Sequence, residues 1–214
     1  MSKVLLLGSI GVLAETSELQ RKAYNQSFLD HELDWYWNVA NYCELLKKPG
    51  GKKRLNHYSN NKVSPELIDS LHARKEELFG DYLKAGISPR NGLVECLETC
   101  KIKGVKVGFV TTTTEKNIEL LSEALHETVD FNQFEFITTK TDVTHEKPDS
   151  EIYQYALSKF GMAVEDTIAV EDTEVNQEAA LKEQIVCYLF AGDYAATHYN
   201  LNAVTSLTAI ANRL

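Results

Sequence analysis

Glu171 and Asp172 stand together directly after the apolar run Thr167 to Val170. Two adjacent carboxylates there are costly unless partnered, which points to a site. Their oxygens suit a hard divalent cation such as Mg²⁺. The alternative is that Asp172 or Thr173 caps the helix that follows. Gly8 and Thr111 occupy matching places after two other apolar runs, Val4 to Leu7 and Val105 to Val110. In an open parallel sheet the ligand sits beyond the carboxyl ends of the strands, so these positions converge on one place. The run Thr111 to Thr114 could cap the next helix. A capped helix N-terminus also binds phosphate, so the two roles are compatible.

Five short apolar runs have the length of buried strands: Val4 to Leu7, Val105 to Val110, Phe134 to Thr138, Thr167 to Val170 and Ile185 to Phe190. Helical spacings separate the later ones, as in Ile118, Leu121 and Leu125, or Ile152, Ala156 and Phe160. This alternation predicts an α/β fold, a doubly wound parallel sheet covered on both faces. The long polar stretch between the first two runs is helical in pattern. Ser64-Pro65 begins a helix with Leu67, Leu71, Leu78 and Tyr82 on one face. The expected organisation is a core of residues 1–14 and 87–214, with an inserted α-helical cap domain at 15–86. Ser9, if the first strand continued, would point to the face opposite position 8.

The net charge of −9 and pI near 5.2 argue against a nucleic-acid partner, because an acidic chain repels phosphate backbones. An anionic substrate would need a local positive site. No apolar run reaches the length of a membrane span, and the one at the start is too short for a signal peptide. Cys43, Cys96, Cys100 and Cys187 suggest no disulfide framework, which fits a reducing cytoplasm. Cys96 and Cys100 share a helix face with Leu93 and Leu97 and are expected to be buried thiols. The six histidines show no triad or metal spacing.

The segment Leu5-Leu6-Leu7-Gly8-Ser9-Ile10-Gly11-Val12-Leu13 resembles the first motif of the haloacid dehalogenase superfamily, an apolar strand followed by Asp-x-Asp-Gly-(Thr or Val)-Leu. The glycine, valine and leucine match; both aspartates are missing. By that resemblance Gly8 stands where the family's nucleophile forms an aspartyl-phosphate, and Ile10 where its general acid/base stands. Val107 to Thr111 resembles the second motif, which implies that Thr111, with Thr112 beside it, binds the transferring phosphoryl group. Glu146-Lys147-Pro148-Asp149-Ser150-Glu151-Ile152-Tyr153 resembles the third, with Lys147 neutralising phosphate charge and Asp149 capping the helix. A surface lysine is the alternative. Ala169-Val170-Glu171-Asp172-Thr173 resembles the fourth, with Glu171 and Asp172 as Mg²⁺ ligands. The family's later glycines are replaced by Asn176 and Gln184.

Within the superfamily the chain is similar to CbbY-type phosphatases, which act on the sugar bisphosphate xylulose-1,5-bisphosphate. The likeness extends through Asp34-Trp35-Tyr36-Trp37 and Gly50-Gly51-Lys52-Lys53-Arg54. It implies that Lys52 and Arg54 hold a second phosphate; a solvated basic loop is the alternative. Without nucleophile and acid the expected outcome is little or no turnover, weakened or absent Mg²⁺ binding, and at most a phosphorylated sugar as ligand. Other chemistry on the same frame, or a protein-interaction module with an unknown partner, are the alternatives.

Overall fold

The computed structural model describes residues 3–47 and 50–214. Met1 and Ser2 of the expected core segment, and Lys48 and Pro49 of the expected cap, lie outside the described residues. The elements run β1 (Val4–Leu7), α1 (Ile10–Leu13), α2 (Ser17–Asp30), α3 (Val39–Leu46), α4 (Gly51–Tyr58), α5 (Pro65–Lys84), α6 (Leu93–Lys103), β2 (Lys106–Phe109), α7 (Glu115–Leu125), β3 (Phe136–Ile137), α8 (Glu151–Phe160), β4 (Thr167–Glu171), α9 (Glu174–Lys182), β5 (Val186–Leu189) and α10 (Thr208–Ala211).

The five strands form one sheet in the order β3-β2-β1-β4-β5. Every neighbouring pair is parallel. β1 is central, pairing Val4 with both Lys106 and Thr167. Its four residues are all buried because successive side chains enter opposite faces. Leu5 and Leu7 join a cluster with Leu93, Cys96, Leu121 and Ile210, while Val4 and Leu6 join Ile152, Ala156, Ala179 and Cys187. Helices therefore cover both faces, the condition that a parallel sheet of apolar strands requires. Cys96 and Cys100 are buried free thiols, as their spacing predicts.

Between β1 and β2 lie α2 to α5. Ser64 caps α5 by accepting a hydrogen bond from the Leu67 amide at 3.2 Å, with Pro65 leading the helix. The buried face of α5 differs from the expected one: Ile68, Leu71, Lys75, Leu78, Phe79 and Leu83 are buried, and Leu67 and Tyr82 lie only at its flanks. The helix packs against both α2 and α7, so its covered arc is wider than a single-faced stripe and displaced from it. That arc includes a lysine. Lys75 donates to the Glu76 carboxylate at 2.8 Å and lies over the rings of Tyr24 and Phe79, 5.1 and 5.0 Å from their centres. A second core, of Tyr24, Phe28, Trp37, Tyr42, Leu45, Leu55, Ile68 and Leu71, sits among these helices.

Several bonds tie this helical segment to the sheet. Glu15 accepts from the Ser17 amide at 2.8 Å and from the Asp193 amide at 2.7 Å. Just beyond the segment, between α5 and α6, Arg90 donates to the carbonyls of Gly11, Phe190 and Ala191 at 2.8, 2.9 and 2.7 Å and so fixes the return of the chain to the core. Glu18 accepts from Arg21 and from the Tyr194 hydroxyl. Arg21 above all, with Tyr194, holds the Glu18 carboxyl down to about 2 against an opposing contribution from burial. A carboxylate depressed in the folded state stabilises above its unfolded value and loses that contribution as pH falls towards 2. Acid titrations should therefore show the parent losing more stability than Glu18→Gln between about pH 5 and pH 2. Parallel curves would remove Glu18 from the account of acid stability.

Candidate active site

The site lies where β1 and β4 end side by side. β1 stops at Leu7, and the Gly8 amide donates to the Val170 carbonyl at 2.7 Å, which carries the two strand ends into adjacent turns. Gly8 is buried. A methyl group built on it would land on the Glu171 carboxyl carbon. The acid at the end of β4 thus fills the space that a side chain at position 8 would need.

Four donors converge on that fully buried carboxylate. One oxygen accepts from Lys147 Nζ and from the Tyr153 hydroxyl, the latter at 2.5 Å. The other accepts from the Ser9 amide at 3.2 Å and the Ser9 hydroxyl at 3.0 Å. Lys147 is 4% exposed and also donates to the Val110 carbonyl at 2.8 Å. It is therefore no surface lysine. Burial, then the charge on Glu171, push the Tyr153 hydroxyl well above the ordinary tyrosine range.

The next acid faces another glycine. A methyl on Gly11 would meet Asp172 Oδ2. The Asn176 amide group donates to Asp172 Oδ1 at 2.9 Å and to the Ser9 hydroxyl at 2.7 Å. Burial first, and then the Glu171 charge, raise the Asp172 carboxyl above the usual range, against the Asn176 hydrogen bond. Ser9 thus lies on the same side as the Glu171 carboxylate, contrary to the expectation of an opposite face. The strand alternation does not reach it: β1 ends at Leu7 and Ser9 already leads α1.

Thr111 is buried. Its amide donates to the Thr138 hydroxyl at 2.9 Å, and its own hydroxyl accepts from the Thr113 amide at 3.2 Å. Thr112 is partly buried beside it. The helix cap is Thr114, which accepts from the Asn117 amide. Asp149 is not the N-cap of α8; Ser150 holds that position, and Asp149 accepts from the Glu151 amide at 2.9 Å. The chain enters α8 one residue later than its sequence suggests. Thr173 caps α9.

Among the expected residues, Gly8, Lys147 and Glu171 come together directly, and Asp172 joins them through Ser9 and Asn176. Ile10 is the first residue of α1 and packs on the core. Lys52 and Arg54 are engaged within the helical segment. Lys52 is exposed and pairs with Asp69 at 2.7 Å. Arg54 donates to the Leu45 carbonyl at 3.0 Å and lies 5.8 Å over the Tyr42 ring. Sequence reading missed the bonding roles of Tyr153, Ser9 and Asn176; only their places inside or beside the motifs signalled them.

Glu171 and Asp172 are the carboxylates here that could hold a Mg²⁺ ion. That ion asks for near-octahedral oxygens, commonly with one or two carboxylates. Both Glu171 oxygens accept from an ammonium, a hydroxyl or an amide and face Gly8, and Asp172 is left as a single acid bonded to Asn176.

Residues 11–190 match the sequence model described as haloacid dehalogenase-like hydrolase. The protein CbbY of Cereibacter sphaeroides is 31% identical over 198 residues, covering 91% of this chain and 86% of its own. CbbY of Rhodobacter capsulatus is 30% identical over 196 residues, covering 90% and 86%. Among solved structures, CbbY from Rhodobacter sphaeroides in complex with phosphate superposes with a TM-score of 0.87 at 28% identity, over 98% of this chain and 96% of that one. A mutant of the same protein, crystallised with xylulose-(1,5)bisphosphate, superposes with a TM-score of 0.85 at 29% identity, over 96% and 95%.

Proposed function

This chain belongs to the haloacid dehalogenase-like hydrolase family, and from that premise we propose that it binds a phosphorylated sugar without hydrolysing it. The observation that carries the reading is the space beside Gly8, filled by the Glu171 carboxylate and sealed by Lys147. Glycine offers no nucleophile, and Ile10 can neither give nor take a proton. Phosphate monoester hydrolysis is among the slowest uncatalysed reactions, with enzymatic accelerations up to ~10²¹. Removing a whole covalent machinery leaves a serine protease only about 10³–10⁴ over water. A loss of that kind here leaves negligible turnover. Phosphatases of this family generally use Mg²⁺; in this chain we take that requirement as weakened or lost.

The phosphosugar class comes from the CbbY relatives, one of which holds a sugar bisphosphate. Lys147, Thr111 and Thr112 would receive one phosphate in the core. Lys52 and Arg54 would receive the other, with residues 15–86 acting as the cap. The four free thiols suit a reducing cytoplasm, the location we assign in this reading. The internal pairing of Lys147 favours a second reading, an interaction module that binds neither sugar nor phosphate.

Phosphate release from xylulose-1,5-bisphosphate, with Mg²⁺ present, is the direct test. The parent and Asp172→Asn are expected to release phosphate at the same background rate, while calorimetry detects binding of the bisphosphate. Turnover confined to the parent would sink the non-catalytic reading. Absence of both turnover and binding would leave the interaction module.

A further inference from the structure

We propose that Glu171 is an intramolecular occupant of the phosphoryl pocket, holding Lys147 in a self-inhibited state that an incoming phosphate must break. The donors speak for it. Lys147 Nζ, the Tyr153 hydroxyl, and the Ser9 amide and hydroxyl all point at one place from three separate segments. A convergent set of an ammonium, hydroxyls and a backbone amide is what recognises an oxyanion. The chain supplies its own oxyanion there. Gly8 permits this, because any side chain at position 8 would collide with the Glu171 carboxylate. Asn176 braces the arrangement from the far side, through Ser9 and Asp172.

Charge leads to the same conclusion. With Glu171 in place, the Lys147 ammonium is already neutralised, and the carboxylate lies where a phosphate would approach. Two negative groups at that range repel strongly in a poorly solvated pocket. Phosphate can enter only as Glu171 swings out. The atoms nearest Gly8 are the carboxyl end of a flexible side chain, so the movement is one of the side chain and not of β4. The proposal concerns how the phosphosugar site is gated and rests on that reading of the family likeness.

Inorganic phosphate, titrated calorimetrically into the parent, Glu171→Gln and Asp172→Asn without metal, tests it. Glu171→Gln is expected to bind roughly tenfold more tightly than the parent or better. Asp172→Asn removes a nearby charge without freeing Lys147, and is expected to stay within about threefold of the parent. An equal or weaker affinity in Glu171→Gln, or an equal gain in Asp172→Asn, would overturn the proposal. Should Glu171→Gln fail to fold, Glu171→Asp takes its place: the shorter acid withdraws from the space beside Gly8 and is expected to bind phosphate more tightly than the parent, and an affinity equal to or below the parent's would overturn the proposal. Bisphosphate hydrolysis in the same samples would refute the functional reading while leaving this outcome separately legible.

Discussion

Lys147→Ala is expected to lower the free energy of unfolding by about 3–5 kcal/mol. The reason is the state of its partner. Glu171 is fully buried, and Lys147 is the cation that compensates it. Removing the ammonium strands a carboxylate away from water with only Tyr153 and Ser9 to satisfy it. A domain of this kind is stable by only about 5–15 kcal/mol, so the loss would be a large fraction of the whole. Chemical denaturation of the parent, Lys147→Ala, Glu171→Gln and the double variant gives the coupling. The double variant should recover part of the loss, because no charge is then left unpaired. A single-variant loss below about 1 kcal/mol would mean that water reaches Glu171 and that the pair is no more than a surface bridge.

Trp37→Ala is expected to cost a comparable 3–5 kcal/mol or so, for a different reason. Trp37 is completely buried at the centre of the helical segment's core. Its ring lies 4.5 Å from Tyr24, 4.9 Å from Phe28, 5.4 Å from Tyr58 and 5.9 Å from Tyr42. Its backbone is pinned to α2, with the amide donating to Asn25 and the carbonyl accepting from Arg21. Truncation opens a void that pinned neighbours cannot close. The indole N–H, however, is buried without a hydrogen-bond partner. Trp37→Phe removes that unsatisfied donor and keeps most of the ring volume, so thermal unfolding should place it much nearer the parent than Trp37→Ala. Equal losses in the two variants would show that the indole N–H is satisfied in solution.

How much of this the sequence makes legible depends on how local the cause is. β1 and β4 can be read directly, because strands buried on both faces are written as unbroken apolar runs. Ser64-Pro65 announces α5 by capping chemistry within four residues. The buried face of α5 is less readable, since Lys75 is covered by the Tyr24 ring of α2 and the Phe79 ring of its own helix and breaks the apolar pattern. Among the site residues, Lys147, Glu171 and Asp172 show themselves by motif. The direction in which Glu171 points does not. It is set by an absent side chain at Gly8, 163 positions earlier than Glu171 itself, and by a serine whose orientation follows from the strand ending at Leu7. A missing group leaves no periodicity to detect. Asn176, read as a departure from the family's glycine, is in the structure the donor that binds Ser9 to Asp172.

The central position of β1 has a consequence for how the chain is born. The first strand synthesised is the one that needs both neighbours, yet its partners begin at Lys106 and Thr167. During translation the helices α2 to α5, with α2 packing on α5, emerge before either flank of β1 can be covered. A ribosome stalled between β2 and β4 would hold a chain with one side of its apolar central strand open to pairing with a stranger. The arrival of β4 closes that edge and, in the same step, delivers Glu171 to Gly8 and Lys147. Covering the second edge of β1 and neutralisation of the buried Lys147 are therefore one late event in the life of the nascent protein, with only β5 still to add beside β4.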